Sequence, residues 1–133
     1  MAGVELSELS GVSFPDMRRN VVSAVRALAD EEYQHRVWVG RIYPQEGFYD
    51  DLSVNLNILY DDTLVLDDPP SALGTVLTSE EEVAAMVVLA SAVDDLLRRE
   101  GNDKTDAEYV ASPLWGAVLR SASTALVILS RTG

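Results

Sequence analysis

The chain has 133 residues, 47% of them apolar and 24% charged, which suits one folded domain and argues against wholesale disorder. Twenty-two acidic residues against ten Lys and Arg give a formal net charge of −12, which excludes nucleic-acid binding through a broad basic surface. There is no cysteine and one histidine, His35, so thiol catalysis, disulfides and Cys-ligated zinc are excluded, and a two-histidine zinc site would need a second chain.

Residues 1–12 are small, polar or acidic with scattered Val and Leu, and are expected to form a loosely held N-terminal arm. They show no basic segment followed by a long apolar run, so a cytoplasmic protein is expected. Residues 13–133 then read as a single helical domain. Phe14-Pro15 marks its first helix start, because the residue before proline is pushed out of the helical region while proline suits the first turn. Met17, Val21, Ala24, Val25 and Leu28 follow at helical spacing, with Arg18, Arg19 and Arg26 placed mainly on other faces. Asp30 can cap a second helix with Glu31 and Glu32 in its first turn, Tyr33, Val37 and Trp38 as anchors and Gly40 at its end.

Arg41 to Tyr49 holds Pro44, Gly47 and three aromatics, and reads as an anchored loop. Leu52 to Tyr60 is ambiguous. Leu52, Val54, Leu56 and Ile58 alternate with Ser53, Asn55 and Asn57, which favours a strand by periodicity, with Thr63–Leu66 as its nearby partner. Wound as a helix, the same residues give a rod buried on two faces. Asp67-Asp68-Pro69-Pro70 is a break that can open a short turn ending at Gly74.

Ser79 with Glu82 forms a capping box, followed by a core stripe of Val83, Met86, Val87, Ala90, Val93 and Leu97, then Arg98 and Arg99 in the last turn and Gly101 as a stop. Thr105 with Glu108 is a second capping box. Ser112-Pro113 starts the final helix, with Trp115, Val118, Leu119, Ala122, Leu126 and Leu129 facing inward. The apolar stretches 83–97 and 115–129 carry Asp94, Asp95 or Arg120 and are too polar for membrane spans.

The charges are unevenly spread: between Ile42 and Leu97 there are 12 Asp or Glu and no Lys or Arg. Solubility and helix capping account for such a run in one reading. In the other it is a docking face that attracts a basic protein, with Asp50, Asp51, Asp61, Asp62, Asp67 and Asp68 as candidate partner-binding residues. Adjacent aspartates on a helix point ~100° apart and none fits a calcium-loop pattern, so neither a metal nor another cofactor is expected. No phosphate-binding glycine loop or nucleophile elbow occurs, and no nucleophile is identifiable for His35.

Tyr60-Asp61-Asp62-Thr63, Asp68-Pro69, Gly74, Leu77, Glu80 to Glu82, Asp106, Tyr109, Ser112-Pro113 and Trp115 are similar to a group of small acidic, mostly uncharacterised bacterial proteins. That group resembles the helical immunity-like proteins associated with polymorphic toxins. The similarity spans Pro15 to Leu129. It implies an all-helical fold and tips Leu52–Tyr60 towards helix. Related sequences often carry a histidine before the Asp-Asp pair. Asn55 and Asn57 stand in that region here, so no role of such a histidine carries over.

The expected fold is therefore all-α: a single compact domain of five or six helices, with Ser79–Glu100 and Pro113–Ser130 the longest. The alternative is α+β with a small ribbon around 52–66. The leading functional expectation is a non-enzymatic acidic interaction protein, such as an immunity protein against a basic toxin. Its partner is a protein with a basic surface, not nucleic acid or a membrane. A small carboxylate-metal enzyme and a self-associating structural or regulatory subunit are the alternatives.

Overall fold

The computed structural model describes residues 12–132. Of the expected N-terminal arm, residues 1–11 lie outside this range, and Val12 is buried. Six α-helices and one 3-10 turn make up the described fold. They are α1 (Pro15–Ala29), α2 (Glu31–Tyr33), α3 (Leu52–Asn57), the 3-10 turn (Pro69–Ala72), α4 (Glu80–Glu100), α5 (Asp106–Val110) and α6 (Trp115–Thr132). Helix α2 winds on into a π-helical turn (Gln34–Val39), and α3 into another (Ile58–Asp62). No strand is present among the described residues, where Leu73 and Leu77 form an isolated β-bridge.

The three long helices form the frame: α1 packs on α6, and α6 on α4. Val21, Val25 and Leu28 of α1, Met86, Leu89 and Val93 of α4, and Val118, Ala122 and Leu129 of α6 meet in the core. Burial of such side chains is the main driving force, at roughly 1.5–3 kcal/mol each. The core stripe of α4 is rotated from its expected position. Leu89 and Leu96 are buried, whereas Val87 points outward. Helix α6 starts at Trp115, not Pro113, because Ser112 Oγ accepts from Leu114 N at 3.2 Å and closes a turn ahead of the helix.

The ribbon considered for 52–66 is not formed. Asp51 caps α3 by accepting from Val54 N at 2.8 Å. Leu52, Asn55 and Leu59 then face inward at helical spacing, and Val54 faces out. The alternating pattern misleads because a polar residue occupies a core position: buried Asn55 donates to both Asp50 oxygens, at 2.9 and 3.1 Å, and to Asp51 O at 2.8 Å. Its burial is tolerable only with those partners.

The π-helical turn that continues α2 ends where Gly40 suggests, but the left-handed residue is the next one, Arg41, at φ 56°. Gly40 itself is needed for space, since a Cβ there would lie 2.9 Å from Arg36 O. Ser79 caps α4 as expected, accepting from Glu82 N at 3.2 Å. The reciprocal arm of the box differs: Glu82 Oε1 accepts from Thr78 N at 2.7 Å instead of from Ser79 N. The carboxylate is pulled aside by Arg18, whose guanidinium binds both its oxygens at 2.8 Å. Ser79→Ala removes the cap oxygen from the Glu82 amide and is expected to cost about 1 kcal/mol. A urea denaturation midpoint unchanged by the substitution would count against that role. The Thr105–Glu108 box is complete, and Thr105 N and Oγ1 both donate to Glu108, lowering its pKa.

Candidate interaction surface

The last turn of α3 decides where the acidic residues go. Thr63 closes the π turn through its N–H and hydroxyl, both donating to Ile58 O, at 3.0 and 2.7 Å. The chain then reverses at Leu64, which adopts φ 59°. Leu66 N donates back to Leu59 O, and Asp68 N to Leu64 O, each at 3.0 Å. This fold-back drops Val65 and Leu66 into the core and pushes Leu64 out, where it is 53% exposed. Bulky residues rarely adopt positive φ, and here the two buried neighbours impose it.

The reversal brings Asp62 and Asp68, one from each acidic pair, into one cleft with Leu64. Phe14, 51% exposed, joins them because Ser13 N and Phe14 N donate to Gly74 O and Thr75 O of the following loop. Phe14, Met17, Asp62, Leu64, Asp68 and Val76 line a shallow cleft of about 210 Å³ there. Asp68 accepts from Ser71 Oγ at 2.6 Å, so its carboxylate is oriented as well as exposed.

Among the described residues several exposed acids are paired with a cation, while Glu31, Glu46, Glu80, Asp103 and the four carboxylates of these two acidic pairs are not. Asp16 pairs with Arg19, Glu32 with Arg36, Asp94 with Arg98 and Glu81 with Arg131. Asp61, Asp62, Asp67 and Asp68 have no cation within ion-pair distance among the described residues. Tyr60 is pushed up to about 12, mainly by burial, then by Asp94 and, last, by Asp67.

Asp50 and Asp51 sit at the other end of α3 and are taken up internally. Asp50 is buried, and its Oδ2 accepts from Tyr33 Oη at 2.7 Å and Trp38 Nε1 at 2.9 Å, besides the Asn55 amide. Burial, then the Asp50 hydrogen bond, holds the Tyr33 hydroxyl protonated well above the ordinary phenol range. Asp51 caps α3 and accepts from Tyr49 Oη. Asp106 accepts from Leu52 N at 3.1 Å, and its pKa is raised chiefly by burial. These groups border a cleft of about 210 Å³ together with Tyr43, Tyr49 and Arg41.

Trp38 and Trp115 lie in the core as expected, edge-to-face at 6.3 Å, with Trp115 Nε1 donating to Gln34 Oε1 at 3.0 Å. His35 is exposed. No group of three or more Asp, Glu or His is placed to hold a metal ion among the described residues. No described helix is long and apolar enough to cross a membrane. The sequence reading missed Phe14 and Leu64 as exposed anchors. The Phe-Pro junction was a signal for the first; the left-handed turn at Leu64 left none.

The fold and this surface define a small all-α domain with an oriented, uncompensated acidic patch. The chain belongs to the family described as Domain of unknown function (DUF7945), whose model matches residues 12–133. No curated protein and no solved structure matches it.

Proposed function

We propose that this domain is a non-enzymatic interaction protein that docks a basic protein partner on Asp61, Asp62, Asp67 and Asp68 around Leu64 and Phe14. The observation that carries this reading is the cleft that Asp62 and Asp68 line together with exposed Phe14 and Leu64, with no cation within ion-pair distance of either carboxylate among the described residues. Apolar anchors inside a charged rim are the usual anatomy of a docking patch. The rim steers encounter, and the anchors are desolvated on contact. The finer reading is an immunity protein that neutralises a basic toxin; the small acidic helical chain and the resemblance of its Asp-Asp region support it.

The test uses the wild-type chain and a variant carrying Asp61→Asn, Asp62→Asn, Asp67→Asn and Asp68→Asn as parallel baits. Wild type is expected to retain a stoichiometric basic partner that the variant loses. Association with that partner should slow steeply as the Debye length falls from about 30 Å at 0.01 M salt to about 8 Å at 0.15 M. A partner that binds both forms with equal rates across the salt series overturns the assignment. For the immunity reading, the partner expressed alone should arrest growth, and co-expression of the wild-type chain should relieve it.

A further inference from the structure

We infer that the outer face of α4 and α6 is a self-association surface whose occupant is a second copy of this chain. In a protein of net charge −12, this face carries few charges. Residues 83–93 of α4 and 121–130 of α6 contain no Asp, Glu, Lys or Arg. Between the two helices runs a groove of about 470 Å³, floored by Ala84, Ala85, Ser121 and Thr124 and edged by Val88. Val88 is 58% exposed, and Val127, one turn beyond Thr124, is 53% exposed. Exposed valines gathered beside a groove mark an interaction site more often than scattered ones do.

Charge complementarity selects the occupant. Two charged side chains border the groove, Glu81 and Arg120, and they are of opposite sign. Glu81 lies at the α6 C-terminal end, 3.7 Å from Arg131. Arg120 is 11 residues before Arg131 on α6, about 16 Å along the helix. Its guanidinium leans further the same way, over Gly116, and has no ion pair among the described residues. A two-fold axis crossing the groove midway maps each end onto the other. It sets Arg120 of each copy against Glu81 of its mate, with Val88 and Thr124 at the centre. A basic partner would find one free cation and one carboxylate already shared, so this face does not duplicate the acidic patch.

Sedimentation equilibrium of the full chain from micromolar to millimolar concentration tests it. A monomer–dimer equilibrium is expected, weakened at least ~10-fold by Val88→Asp, which buries a charge at the centre of the contact. Glu81→Arg and Arg120→Glu should each weaken it, and together restore it to near the wild-type constant, since the pair is then exchanged. The variants are surface changes, and circular dichroism should match wild type. A chain that stays monomeric throughout overturns the proposal and leaves the groove to residues 1–11 or to a different protein. A dimer indifferent to Val88→Asp and to both charge reversals overturns it equally.

Discussion

Glu82→Ala should destabilise the protein by about 3–5 kcal/mol, because it removes the carboxylate that both terminal nitrogens of a buried guanidinium bind. Arg18 is buried between α1, α4 and α6. Its Nη1 donates to Glu82 Oε1 at 2.8 Å and to Val76 O at 3.0 Å; its Nη2 donates to Glu82 Oε2 at 2.8 Å and to Leu129 O at 3.2 Å. The bidentate fork ties the start of α4 to α1 and to the end of α6 at one point. The attraction within such a pair is largely offset by the desolvation of both ions, so its net worth is small even though breaking it is costly. Arg18→Met combined with Glu82→Leu should accordingly regain most of what either single change loses. Urea midpoints of the two single variants and the double variant check this. Single variants that each lose less than about 1 kcal/mol would mean that water reaches the guanidinium.

The long helices were legible because their signals are local. Ser79, Arg98 and Arg99 mark the ends of α4 within one turn of each boundary, and the structure keeps both ends. What escaped the sequence were pairings over long separations. The helical spacing places Arg18 off the apolar stripe of α1, since nothing within α1 shows that Glu82, 64 residues on, waits in the core. The same cause makes residues 52–60 ambiguous by periodicity alone. Asn55 looks like the polar half of an alternating strand until its amide finds Asp50, and only then does Val54 become the exposed residue. At the acidic surface, sequence supplied the doublets but not their geometry. Asp50-Asp51 and Asp61-Asp62 have the same composition. One pair precedes a helix and is drawn inward as hub and cap; the other ends a π turn and is left in solvent.

Asp50→Ala should cost about 2–4 kcal/mol while leaving the exposed acidic patch intact, because each buried donor stripped of its acceptor costs about 1–3 kcal/mol. The carboxylate collects the Trp38 indole N–H, the Tyr33 hydroxyl and the Asn55 amide, three donors from two helical segments. Trp38 in turn packs edge-to-face on Trp115, which reaches Gln34 and through it the α1 carbonyl of Ala27. Removing Asp50 should therefore change the near-ultraviolet circular dichroism of the tryptophans as well as the urea midpoint. Asp50→Asn keeps an oxygen for two of the donors but adds an amide with nowhere to donate, and should fall between wild type and Asp50→Ala. Tyr33→Phe removes a single donor and leaves the other two bonds, so its cost should stay near 1 kcal/mol. If Asp50→Ala instead keeps wild-type stability and weakens partner binding, the Asp50 carboxylate belongs to the interface and not to the scaffold.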